Sequence, residues 1–125
     1  SDCEENILVM KSLFTIIRDI VLSSLNVEDY DEKVKLFDTN KEYLIEIGIL
    51  VANVPVSTSE QLVIRNQLEE YRILAYADAA ISYEIMNENL ELDNPLWDQY
   101  AITMNDLFEL EERLAENLNN FQCDN

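Results

Sequence analysis

A chain of 125 residues with 48% hydrophobic and 27% charged residues has the length of one domain and is too apolar to stay disordered. Eight Lys and Arg against 26 Asp and Glu leave a formal net charge of −18, a surface that repels nucleic acid and anionic membranes and serves either to attract a basic protein or simply to keep the chain in solution. With no histidine and a single glycine, the chain has no Ser-His or Cys-His nucleophile pair, no His-held zinc, haem or di-iron centre, and no glycine-rich phosphate loop.

One Gly and two Pro are too few for the many tight turns of a sheet protein, so long helices with few connections are expected. The first helix is predicted from Glu4 to about Leu25. Ile7, Met10, Phe14, Ile17 and Val21 recur at steps of three and four, while Lys11, Thr15, Arg18, Asp19 and Ser23 fall opposite. Leu8, Leu13, Ile16 and Ile20 widen the apolar stripe. Lys11, Arg18 and Asp19 interrupt the richest apolar stretch, Ile7 to Leu25. No run is long and apolar enough to insert in a membrane as a spanning helix.

Asn26 to Asp29 reads as a connection, and Asp29 followed by Glu32 reads as the cap of a second helix starting near Tyr30. Thr39 and Glu42 repeat the capping pattern. Residues 30–53 therefore form either one helix or a helix broken near Thr39, with Val34, Phe37, Leu44, Ile47, Leu50, Val51 and Val54 on the apolar side. Gly48 inside that helix predicts the close approach of another backbone. Pro55 ends the segment.

Ser57-Thr58-Ser59-Glu60 fits a capping box, with Ser57 as the N-cap and Glu60 reaching back. The third helix then runs from about Thr58 to Asn87 or Glu88, with Ile64, Leu68, Tyr71, Leu74, Ala75, Asp78, Ile81 and Ile85 as its stripe. Asn94-Pro95 opens a fourth helix, Asn as N-cap and Pro at the first helical position. Leu96, Tyr100, Thr103, Leu107, Leu110, Leu114, Leu118 and Phe121 form its stripe, flanked by Trp97, Met104 and Phe108.

Four helices with short loops favour a single-domain, all-α, antiparallel four-helix bundle over residues 1–125. An even number of helices returns both ends of the chain to one end of the bundle. Cys3 and Cys123, the only cysteines, then become neighbours and are expected to form a disulfide. A disulfide places the protein in the periplasm or outside the cell, and the alternative is two buried thiols in a reducing compartment. The opening Ser-Asp-Cys, without Met, reads as a mature form left after an export signal is removed, with Ser1 as a cloning remnant.

The candidate functional residues follow from charge and from one misplaced polar group. From Glu84 to the C-terminus there are eleven acids and one base, Arg113, and the exposed acids of the last helix, Glu109, Glu112 and Glu116, are the expected partner contacts. Trp97 and Tyr100 are the expected anchors beside them. Asp78 lies on an apolar stripe, where a carboxylate is costly unless paired or wet. It is read either as a buried polar group bonded to Tyr, Arg or Lys, or, with Tyr76, as part of a ligand groove lined by small alanines. The clustered Asp29, Asp31 and Glu32 lack the loop pattern of a calcium site and read as a helix start. No metal, cofactor or catalytic residue is expected.

The leading expectation is a small exported acidic module that binds another protein, in its sharpest form an inhibitor or immunity-type protein that blocks a basic partner. An extracytoplasmic sensor or carrier holding a small ligand between its helices is the first alternative. An acidic nucleic-acid mimic is the second.

Overall fold

The structure, a computed structural model, describes residues 2–124. It contains α1 (Asp2–Leu25), α2 (Tyr30–Ala52), α3 (Ser59–Glu88) and α4 (Pro95–Asn120), with no strand among the described residues. The four helices form the antiparallel bundle expected from the sequence, and every pair except α2 and α4 is in contact. The cross-section is therefore a flattened diamond, with α1 and α3 packed across its short diagonal. Phe14 and Tyr71 meet on that diagonal with ring centroids 5.3 Å apart.

The helix ends follow local chemistry. Asp29 caps α2 by accepting from the Glu32 N–H at 3.1 Å. Asn94 caps α4 by accepting from the Leu96 N–H at 2.9 Å, with Pro95 behind it. Asn89 closes α3 in the left-handed region at φ 50°, where asparagine is among the few residues tolerated, and its N–H reaches the Ile85 and Met86 carbonyls.

One open reading is decided and one expectation is corrected. Of the two readings of residues 30–53, the single helix is the one present, unbroken through Thr39. The spacing Phe37, Asn40, Leu44, Ile47 crosses the Thr-x-x-Glu pattern without changing phase, and Phe37 stacks on Tyr83 of α3 at 4.7 Å, so packing holds that stretch in register. The α3 cap sits one residue later than expected. Thr58 is the N-cap and accepts from the Gln61 N–H at 3.1 Å.

Gln61, not Glu60, reaches back, and its Oε1 accepts from the Ser57 N–H at 2.7 Å. The reason is burial. Gln61 is fully buried against α1, where its Nε2 donates to the Cys3 carbonyl at 3.2 Å and its Oε1 also faces the Asn6 amide at 3.3 Å. An amide both gives and takes hydrogen bonds there. An ionised glutamate would have no donor for Cys3 and would carry a charge into the core.

Gly48 is approached by a side chain rather than by a backbone. A Cβ at this position would lie 2.7 Å from the Arg72 Cζ. The Arg72 guanidinium crosses the gap, pairs with Glu69 and donates from Nη1 to the Leu44 carbonyl at 3.1 Å.

The core is densest in the half of the bundle that holds the termini. Met10, Ile17, Leu44, Leu68, Tyr71, Leu107 and Leu114 are fully buried. At the opposite end, no residue from 30 to 39 is buried, and Ile81, Leu96, Tyr100 and Thr103 are half-buried where the stripes anticipated core. Cys3 and Cys123 form a disulfide across the terminal end, with Cα atoms 5.9 Å apart and a sequence separation of 120. Closing so long a loop is worth roughly 4–5 kcal/mol in the chain-entropy account. Among the described residues no helix is long and apolar enough to cross a membrane.

Candidate functional site

The outward side of α4 is a mostly polar, exposed face. Steps of three and four from Asp98 pass through Ile102, Asn105, Glu109, Glu112 and Glu116, and all are exposed. Asp106 and Arg113 flank this line and are exposed as well. At the α-helical rise the line from Asp98 to Glu116 spans about 27 Å. The acids expected at Glu109, Glu112 and Glu116 therefore share one face, joined by Asp98 and Asp106, which charge counting alone did not single out. Ile102, 62% exposed, is the one large apolar side chain of α4 left in solvent.

Arg113 is the one base of α4 beside these carboxylates. Among the described residues no acid of α4 lies within ion-pair distance of Lys or Arg. Five of the eight bases have contacts on other helices or connections. Arg65 donates to the Val54 carbonyl at 2.8 Å, Arg72 is held by Glu69, and Lys33 reaches the Val27 carbonyl at 3.4 Å. Lys41 pairs with Asp38, and Arg18 lies over the Phe14 ring. Glu112 and Glu116 are like charges four apart, and no helix carries a base in its last turn. Both features weaken α4 by a few tenths of a kcal/mol each.

Glu111 points the other way. It accepts from the Tyr71 hydroxyl at 2.5 Å, and burial, helped by this carboxylate, pushes the Tyr71 hydroxyl far above its ordinary pKa. It is a core-facing group rather than part of the outward face.

Trp97 and Tyr100 do not join the acidic face. Both are half-buried, packed edge to face at 6.3 Å. The Trp97 indole N–H donates to the Leu90 carbonyl at 3.3 Å and so secures the α3–α4 connection. Tyr100 is half a turn away from Glu109 around the helix. It is bonded to Ser82, and burial, followed by the charge of Asp78, raises its pKa. The pair closes the end of the bundle opposite the disulfide.

Asp78 is 4% exposed, and its Oδ1 has no hydrogen-bond partner among the described residues. Burial raises its pKa to about 6, and the charge of Lys33 acts in the opposite sense. It borders a cavity of about 10 Å³ between α1, α2 and α3, which Ser24, Lys33, Asn40 and Tyr83 also line. Tyr76 is not among the lining residues. It is half-buried and packs on the main core. The cavity holds one water-sized group. Asn40, 8% exposed, was legible as a polar residue four before Leu44 on the α2 stripe. Lys33 was not, because its position at the start of α2 reads as solvent.

The disulfide end carries open grooves around Phe121. One of about 350 Å³ lies between the start of α3 and the end of α4, against Val63 and Ile64. No protein-family model, curated protein or solved structure matches the chain.

Proposed function

We propose that the protein is an exported binding module whose α4 face engages a basic protein, with inhibition or immunity-type blocking of that partner as its action. The carrying observation is the acidic line from Asp98 to Glu116, exposed over its whole length with a single base, Arg113, beside it, while Arg65, Arg72, Lys41 and Arg18 are held by a carbonyl, carboxylates and a ring on other helices. Its charges repel one another in the free protein, and a cationic surface laid along α4 relieves that repulsion and speeds association. Ile102, set among the acids, supplies an apolar contact in the same face. The disulfide supports an oxidising compartment, periplasmic or secreted.

A small-ligand carrier site at Asp78 has less support, because the cavity there admits one water-sized group against the hundreds of Å³ that such a site needs, and the groove of about 350 Å³ at the disulfide end is open and lies away from Asp78. The nucleic-acid mimic shares the acidic line, but such proteins act in compartments that do not favour a disulfide. The test is capture of partners from the extracytoplasmic fraction of the source, using the wild type and a Glu109→Gln, Glu112→Gln, Glu116→Gln variant as baits. The proposal expects a basic protein retained by the first and lost from the second. Equal retention by both baits refutes it.

A further inference from the structure

The end of the bundle away from the disulfide contains a charge arrangement that the binding face does not use. Asp78 brings a carboxylate into the cavity with one oxygen unpartnered. Lys33, on a different helix, lines the same cavity, yet its ammonium is placed on the Val27 carbonyl in the α1–α2 connection, at a long 3.4 Å. A lysine stem has four rotatable carbons, and a bond of that length is weak. Lys33 is half-buried near the start of α2, so its side chain can re-aim while the Phe37–Tyr83 stack stays in place. The cavity has room for one water-sized group, which is also the size of an ammonium head.

The geometry points to a proton-controlled switch in which Lys33 moves between the Val27 carbonyl and the Asp78 carboxylate. When Asp78 carries its proton, nothing in the cavity attracts a cation strongly, and Lys33 tethers the Asn26–Asp29 connection. When Asp78 gives its proton to solvent, the buried carboxylate needs a counter-charge, and Lys33 is the cation at hand. Its ammonium then leaves the Val27 carbonyl and the connection is released.

The groups facing Asp78 on each element are consistent with this. α1 contributes Val21 and the uncharged Ser24, α2 contributes Lys33 and Asn40, α3 itself contributes Tyr83, and α4 contributes the Tyr100 hydroxyl. Lys33 is the only cation in this set. The raised pKa of Asp78 puts the change near pH 6, inside the range that extracytoplasmic proteins meet. The released connection carries Glu28 and Asp29 and leads into Asp31 and Glu32, so the switch alters how an acidic segment is presented.

The experiment is an NMR titration of the full disulfide-bonded chain from pH 4 to pH 8. It follows the Asp78 carboxyl carbon, the Lys33 side chain and the backbone amides of Val27 to Asp29. In the wild type the three sets should move with one midpoint near pH 6. In Asp78→Asn the Lys33 and connection signals should lose that midpoint. In Lys33→Met the Asp78 midpoint should rise by about half a pH unit or more, as expected when a nearby cation is removed. The connection amides should then cease to follow it. Connection amides that titrate identically in wild type and Asp78→Asn overturn the proposal. So does an Asp78 midpoint unmoved by Lys33→Met. The second variant alters a half-buried surface position, so it keeps the test decisive even if Asp78→Asn folds poorly.

Discussion

Replacing Asp78 by Asn should stabilise the protein near neutral pH and lose that advantage in acid. The folded-state pKa is raised from 3.8 to about 6, chiefly by burial. The native state therefore holds the proton more tightly than the unfolded state. Between those two values the native protein binds more protons, so its stability falls as pH rises and levels off above the folded pKa. A shift of this size corresponds to about 3 kcal/mol at full ionisation, using 1.36 kcal/mol per unit. That is an upper bound, since Lys33 drawn toward the ionised carboxylate returns part of it. Asparagine fits the same space without a charge, so the wild-type penalty disappears. Urea denaturation of both proteins from pH 4 to pH 8 isolates the effect, because every other carboxylate is common to the two curves. Urea is uncharged and leaves the repulsion within a −18 chain unscreened. The expected difference is about 2–3 kcal/mol in favour of Asp78→Asn at pH 7.5, shrinking toward zero or reversing at pH 4. A difference independent of pH, or a wild type that gains relative to the variant as pH rises, refutes the reasoning.

Gln61→Glu should cost about 2 kcal/mol or more at pH 7, because it buries a charge and removes the donor to the Cys3 carbonyl, and urea titration reads this directly. Reducing the Cys3–Cys123 bond, or replacing both cysteines by serine, should cost up to roughly 4–5 kcal/mol and lower the thermal midpoint with helical content retained in the cold, as circular dichroism will show. Gly48→Ala should change stability little. The helix gains about 1 kcal/mol from alanine but the Arg72 guanidinium is pushed off the Leu44 carbonyl, so in an Arg72→Met background the same change should stabilise by about 1 kcal/mol. Adding sodium chloride should raise the thermal midpoint of the wild type, and raise it less in the Glu109→Gln, Glu112→Gln, Glu116→Gln variant, whose α4 repulsion is already reduced.

The architecture was legible because several independent signals agreed. Long apolar stripes, Asp29 and Asn94 as caps, Pro95 after its cap and the scarcity of turn residues all demanded the same four helices. The disulfide then followed from parity, since an even number of antiparallel helices brings Cys3 to Cys123. What misled was local pattern read without burial. Ser57-x-x-Glu60 and Thr58-x-x-Gln61 are overlapping capping boxes, and only the Cys3 carbonyl above Gln61 decides between them. Thr39-x-x-Glu42 caps nothing, because Phe37 on Tyr83 keeps the chain helical through it. At the candidate sites the pattern was informative about charge and uninformative about direction. Glu109, Glu112 and Glu116 share a face by spacing alone, whereas Glu111 turns inward because Tyr71 on α3 offers a hydroxyl. Trp97 and Tyr100 looked like anchors, but nothing in their spacing shows that the Leu90 carbonyl and Ser82 occupy their polar ends. Asp78 was visible as an anomaly on its stripe. Its cavity was not, since that depends on Lys33 and Ser24, which come from two other helices.

The central claim is that the α4 face recognises a cationic protein surface. The most direct measurement is the salt dependence of affinity for the captured partner, compared between the wild type and the Glu109→Gln, Glu112→Gln, Glu116→Gln variant by calorimetry. The account predicts a steep loss of wild-type affinity from 50 to 300 mM salt. At low salt the variant should bind at least about tenfold more weakly, with a visibly shallower slope, as removal of charge pairs across an interface requires. Equal affinities and equal slopes for the two proteins would contradict it.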